Sequence, residues 1–353
     1  MQTPENVIMI YGQGGMGKST LGAQAAAFIW KTFGKKTLVF NTDGGGTHNA
    51  HAPLIDAGVT RIWNIDQWEE KSLFYYLEKA SRGFFPTDEG EPNSELVAPY
   101  RKWRECPHCG GDVGATGFAL PRSCGACSKA LAAGSFCRIR ADVEPWFEEI
   151  GCVIFEGMTS FGDHIMRRLK NANPEGGRSI KDKGADGSEF VVSAPGMQHY
   201  GDAQSYLAQY IGNSKTIPVP LVIWTALEAR GDDETQGKNL FGPKGPGKQL
   251  TGACIPWFTD VLHLDGVVRL DKGRVVKDAN GMEVMDRKLF LASHFPADTQ
   301  LFKFAAKTST PLAEDAVKVL DFPPTGNTMK SFFDILATAK KKAGAALLEE
   351  GWE

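Results

Sequence analysis

Nowhere does this sequence carry an apolar run approaching the roughly 20 residues that span a bilayer. It also lacks a basic-then-apolar leader with a small-residue cleavage site, since Met1 runs into an apolar stretch by Val7. No one sign of charge dominates: 39 Lys and Arg against 42 Asp and Glu leave a formal charge of −3. That excludes a protein that coats nucleic acid with its whole surface, while a local basic patch stays open. Cysteine is sparse, with seven residues, of which four form two CxxC pairs and Cys137, Cys152 and Cys254 stand singly. This usage suits a reducing compartment and a metal site better than a disulfide framework. The chain is expected to be cytoplasmic and to have no membrane partner.

At 353 residues there is room for one large α/β domain with an insert, and the 42% apolar content can furnish its core. Val7–Tyr11 is a short continuous apolar run closed by glycine, as expected for a strand buried on both faces. Lys18–Phe33 reads as a helix stopped by Gly34, and Lys36–Asn41 as the next strand. That β-α-β order predicts a parallel sheet. Further helices are expected at Trp68–Ser81, Val143–Ile150, Phe161–Ala172, Tyr200–Asn213 and Met329–Leu348. Strands are expected at Cys152–Glu156 and Pro220–Thr225. Asn173–Pro195 and Ala229–Gly252 read as long polar loops, the latter holding six glycines. From Asp260 the pattern changes to β-hairpins, with a turn at Asp278-Ala279-Asn280-Gly281.

Directly between the first strand and the first helix lies Gly12-Gln13-Gly14-Gly15-Met16-Gly17-Lys18-Ser19, which fits GxxxxGK[ST] at every fixed position. Glycines there let consecutive backbone N–H groups wrap the β- and γ-phosphates of a nucleotide, and the helix N-terminus adds positive potential. Lys18 can neutralise phosphate oxygens, and the Ser19 hydroxyl is a candidate Mg²⁺ ligand. Such a site needs an acidic residue at the end of a neighbouring strand. Cys152-Val153-Ile154-Phe155-Glu156 supplies four apolar residues and then a carboxylate, one methylene longer than the usual aspartate. Glu156 is read as the Mg²⁺ partner or as a base; the alternative is a capping or solvated glutamate. Asp43, ending Phe40-Asn41-Thr42-Asp43, is the first choice to orient attacking water, although Asp-Gly is also an ordinary turn.

Two CxxC units, Cys106–Cys109 and Cys124–Cys127, are separated by fourteen residues, close to zinc-ribbon spacing. Four thiolates complete a tetrahedron with no open position, so a structural Zn²⁺ is expected, supplying roughly 10–16 kcal/mol of folding free energy. Arg101, Lys102, Arg104, Arg122, Arg138 and Arg140 surround the knuckles and suit either a phosphate backbone or a solvated surface.

On the residues just quoted the chain resembles the RecA-like P-loop ATPases. More narrowly it resembles phage-encoded RecA-like proteins associated with single-strand annealing and recombination. The resemblance rests on the phosphate loop through Thr20, on Val39–Gly45 with Asp43, and on Cys152–Ser160, where Glu156-Gly157 stands for the usual Asp-Ser. It extends to Val222–Glu228, with Thr225 at a γ-phosphate-sensing position where the recombinases carry glutamine. The stretch Phe241–Asp265 looks like the family's second DNA-contacting loop and the strand after it. Phe304–Thr308 is similar to the strand whose lysine, here Lys307, reaches the neighbouring subunit's nucleotide.

The resemblance implies an α/β RecA-like P-loop NTPase fold with a mostly parallel central sheet and β-hairpins toward the C-terminus. The parts would be a first core segment over 1–98, a small inserted zinc ribbon over 99–140, a second core segment over 141–312 and a tail with a helix over 313–353. Implied cofactors are ATP and Mg²⁺, with hydrolysis to ADP and phosphate; Zn²⁺ belongs to the insert. Implied partners are single-stranded DNA, other copies of the chain in a ring or filament, and a single-strand-binding or replication protein. If phage-encoded, the chain acts in the host cytoplasm. Arg178, Lys181, Lys183, Lys238, Lys244 and Lys248 are candidate phosphate contacts, and Phe241 a candidate base-stacking residue. Alternatives are a packaging or assembly motor and a nucleotide-binding scaffold that does not hydrolyse.

Overall fold

A computed structural model of the chain describes residues 6–43, 46–64, 150–173, 177–183, 189–215, 219–233, 238–247, 250–293, 302–309, 317–323 and 326–349, with a few isolated positions between. Its centre is β1 (Asn6–Gly12), whose alternate side chains feed two cores. Val7, Met9 and Tyr11 face one side, Ile8 and Ile10 the other. The expected helix and strand follow as α1 (Lys18–Phe33) and β2 (Lys36–Asn41), then α2 (Thr47–Asp56) and β3 (Thr60–Asn64). The next described elements are β4 (Ile150–Glu156) and α3 (Met158–Ala172), then β5 (Arg178–Lys183), β6 (Glu189–Ala194) and α4 (Met197–Ser214). The chain continues through β7 (Leu221–Asp233), β8 (Lys238–Pro243), the single turn α5 (Leu250–Ala253) and β9 (Asp260–Val268). It ends with β10 (Leu270–Asp271), β11 (Arg274–Val275), β12 (Met285–Phe290), β13 (Phe302–Phe304), β14 (Val319–Asp321) and α6 (Thr328–Glu349).

The main sheet runs β14-β12-β9-β1-β7-β4-β2-β3. From β9 to β3 every pairing is parallel, and β12 and β14 add an antiparallel margin. This is the expected α/β fold with a mostly parallel sheet. Helices α3 and α4 cover one face, where Phe40, Phe155 and Trp224 stack in succession at 5.3 and 4.3 Å. Helices α1 and α6 cover the other through Leu21, Ala25, Ile29, Met329, Phe332 and Leu336. Burying each large apolar side chain contributes roughly 1.5–3 kcal/mol, which is why parallel strands read as unbroken apolar runs.

Three expectations need correction. Asn173–Pro195 is not a loop, because Arg178–Lys183 and Glu189–Ala194 pair antiparallel. Ala229–Gly252 is not one either: β7 runs on to Asp233 and β8 returns beside it, pairing Glu228 with Pro243 through to Asp233 with Lys238. Arg178, Lys181, Asp182 and Lys183 crowd β5, and Glu228, Arg230, Asp232 and Asp233 the end of β7, so the apolar alternation that marks a half-buried strand is weak there. Finally, Asp260–Val268 belongs to the parallel core, pairing β1 from Ile8↔Asp260 to Gly12↔Leu264, as well as forming a hairpin with β12. The turn at Asp278 is present, with Asp278 Oδ1 accepting from the N–H of Asn280 and Met282. The expected helix at Trp68–Ser81, most of the expected helix at Val143–Ile150 and most of the expected zinc-ribbon insert lie outside the described residues; Ile150 itself begins β4.

Candidate functional site

Glycine is required where β1 hands over to α1. Gly17 has φ 107, a conformation L side chains rarely adopt, and a methyl group there would lie 2.7 Å from Phe322 Cε1. Gln13, Gly14, Gly15 and Thr20 are exposed, while Met16 and Ser19 are half-buried. Lys18 opens α1 and turns back into the loop, its Nζ donating to the carbonyls of Gly12 at 3.0 Å and Gln13 at 2.8 Å. Burial lowers its pKa, opposed by the nearby carboxylates of Glu156, Asp43 and Glu228. Lys18 thus lies in the field of three acids at the C-terminal edge of the sheet, where ligands sit in open α/β folds.

Glu156 ends β4, two strands from β1 with β7 between. The Ser19 hydroxyl spans that gap, donating to Glu156 Oε1 at 2.6 Å. Glu156 is 2% exposed and its Oε2 accepts no hydrogen bond. Burial pushes its pKa up to about 7, against the lowering effects of the Ser19 hydrogen bond and of Lys18, with Asp43 adding to the rise. Thr225 on β7 is fully buried and its Oγ1 accepts from the Gly157 N–H at 2.9 Å.

Asp43 is exposed at the end of β2, and its Oδ1 accepts from the Ser160 hydroxyl of α3. Gly157 makes that approach possible. It has φ 97, and a methyl group on it would fall 2.4 Å from Asp43 Oδ1 and 2.6 Å from Thr42 Oγ1. The Glu156-Gly157 pair therefore has a steric reason: a serine after the acid would push Asp43 away. Asp43 is tied to α2 as well, since Asn41 Oδ1 accepts from both the Asp43 N–H and the Thr47 hydroxyl.

Two groups at this edge escaped the sequence reading. Glu228 Oε2 lies 2.8 Å from His263 Nε2, a buried pair on β7 and β9. The imidazole is stacked between Tyr11 at 4.7 Å and Phe304 at 4.5 Å. The available signals were a lone histidine in the apolar run Val261-Leu262-His263-Leu264 and a glutamate just past Thr225. Thr159 is the second: its hydroxyl accepts from the Leu227 N–H at 3.0 Å and donates to the Lys244 carbonyl at 2.9 Å. It joins the start of α3 to the base of the β7–β8 ribbon.

Other candidates lie elsewhere. Lys307 exchanges both backbone hydrogen bonds with Val261. Val261 sits level with Met9, three residues before Gly12, so Lys307 stands about 10 Å down the strands from the phosphate loop. Burial lowers its pKa, against the pull of Asp260. Phe241 is not displayed on a loop; it stacks on Phe304 at 5.0 Å within the β8–β13 ladder. Lys244 is exposed, Arg178, Lys181, Lys183 and Lys238 are placed on ribbon strands, and Lys248 lies outside the described residues. Of the zinc candidates, Cys106 and Cys124 lie outside them too, while Ser128 directly after Cys127 has φ 56, a left-handed turn residue. Among the described residues no three His, Cys, Asp or Glu side chains gather as a metal cluster, and no helix is long and apolar enough to cross a membrane.

No family model matches the chain, and no curated protein matches it in sequence. Among solved structures, the crystal structure of the RadB recombinase aligns over 82% of this chain and 80% of that one, at 11% identity and a TM-score of 0.37, a likeness too slight to build on.

Proposed function

We propose that this chain is a RecA-like ATPase that binds ATP with Mg²⁺ and acts on single-stranded DNA in recombination, annealing or replication. The observation that carries the reading is the Ser19–Glu156 hydrogen bond across β7, beside a lysine folded into a glycine loop. In such a site a hydroxyl and an acid from a neighbouring strand share one cation. The donors fit: both are hard oxygens, and Glu156 Oε2 is buried without a donor of its own. Mg²⁺ held by Ser19 and Glu156 would supply charge neutralisation across the β- and γ-phosphate oxygens.

Lys18 would exchange its two carbonyl contacts for phosphate oxygens, and the amides of Gly14 to Gly17 would wrap the chain of phosphates. Asp43 would orient the attacking water and take its proton as the bond to the leaving ADP breaks. The Ser160 hydroxyl holds that carboxylate in place. Thr225, through the Gly157 N–H, fixes the turn that follows Glu156. Lys307 would serve a neighbouring copy's site, since it stands about 10 Å down the strands from its own loop. The β7–β8 ribbon runs six residues past the level of Gly12, with Lys238 and Lys244 at its two ends, and is the surface we assign to DNA.

ATPase assays with and without single-stranded DNA test this reading. Stimulation supports it, DNA-independent turnover points to a packaging or assembly motor, and binding without turnover to a scaffold. The raised pKa of Glu156 favours the last as second reading, because a protonated acid is a poor cation ligand. Lys18→Ala is expected to abolish nucleotide binding, measured by calorimetric titration; wild-type affinity in that variant would remove the assignment.

A further inference from the structure

Three successive charged residues of β12 have different surroundings. Asp286 pairs with Arg269, and Lys288 pairs with Asp321. Arg287, between them, has no carboxylate partner among the described residues and is exposed. Its guanidinium lies against the phosphate loop instead: a methyl group on Gly17 would sit 3.3 Å from Arg287 Nη1. Register explains the placement. Arg287 is opposite Gly266, two residues past the Leu264 that pairs with Gly12, so it stands beyond the strand ends at the height of the loop. It shares a face with Leu289, which packs in the α1 core.

The two ends of a nucleotide on this loop are distinguishable by position. Glu156 and Ser19 mark the γ-phosphate end, two strands from β1 through β7 and β4. Arg287 lies two strands from β1 in the other direction, through β9 and β12. Beside it an apolar shelf is open: the Met16 and Met285 methyls lie 3.3 and 3.2 Å from where a Gly266 side chain would begin, and Met285 is 49% exposed. A glycine flanked by two thioethers, under an uncompensated guanidinium, suits a flat aromatic ring. Methionine sulfur packs well on aromatic faces, and arginine stacks over them as a cation.

We infer that the nucleobase lies across this shelf, with Arg287 stacked on its face and the Met16–Met285 pair beneath. Arg287 is then a binding residue that selects a nucleotide over a bare polyphosphate. The inference rests on the phosphate-loop reading above, and the test separates the two.

Calorimetry on the full chain would compare ATP, ADP and inorganic tripolyphosphate, each with Mg²⁺, for wild type and Arg287→Ala. The variant is expected to bind ATP and ADP about tenfold more weakly while holding tripolyphosphate as the wild type does. Unchanged ATP affinity, or an equal loss for tripolyphosphate, would overturn the inference, the second because it would mean a distorted loop. A wild-type chain that binds none of the three would sink the phosphate-loop reading itself. Arg287 is exposed, so the variant should fold, and an unshifted thermal melt would establish that it does.

Discussion

At the scale of single residues the site is dominated by one buried acid. Folded Glu156 titrates near 7, whereas in the unfolded chain it titrates near 4.5. Between those values the folded chain holds the proton more tightly, so this group's contribution to stability is present at low pH and lost as pH rises to 7. Glu156→Gln removes the titration. Its stability relative to wild type, from urea denaturation, is expected to be near zero at pH 4 and to favour the variant by at most about 3 kcal/mol at pH 8. A pH-independent difference would contradict the buried-acid account. A bound cation would offset the same cost in the wild type, so the variant's advantage should shrink when Mg²⁺ and nucleotide are present. The glycine after this acid has the complementary role of admitting Asp43, a reason for glycine at that position which the sequence alone does not disclose.

Between elements, Thr159 couples the start of α3, beside the phosphate-loop edge, to the ribbon. Replacing it with valine keeps shape but strands the Leu227 N–H and the Lys244 carbonyl. Thr159→Val is expected to lower stability by about 2 kcal/mol and to raise amide exchange in β8; ordinary protection there would show the ribbon is held by other contacts. What the sequence disclosed follows the same division. β1, α1, β2 and β4 were legible, because a buried parallel strand and a glycine loop are written in consecutive residues. The ribbons were not, since Arg178–Lys183 and Arg230–Asp233 are rich in charge and carry no apolar period. Lys18, Ser19, Asp43 and Glu156 could be named one by one. Glu228, His263 and Arg287 could not, because their place at the loop depends on pairing between segments tens to hundreds of residues apart.

For the molecule as a whole, the proposed service of Lys307 to a neighbouring copy can be tested by mixing variants. Lys18→Ala and Lys307→Ala chains are each expected to lose turnover, the latter by about a thousandfold with nucleotide affinity intact. Mixing them should recover part of the rate, because some interfaces join a sound loop to a sound lysine; no recovery would argue against the assignment in trans. Elemental analysis should find about one zinc per chain, lost with Cys106→Ser and Cys109→Ser, as expected where four thiolates close one tetrahedron. The sheet order has a kinetic meaning too. β1 is made long before its neighbours, Leu221–Leu227 on one side and Asp260–Leu264 on the other. Contacts that distant in the chain form slowly. A nascent chain would therefore carry this buried apolar strand unpaired while more than two hundred further residues are synthesised, and chaperone demand should be greatest in that interval.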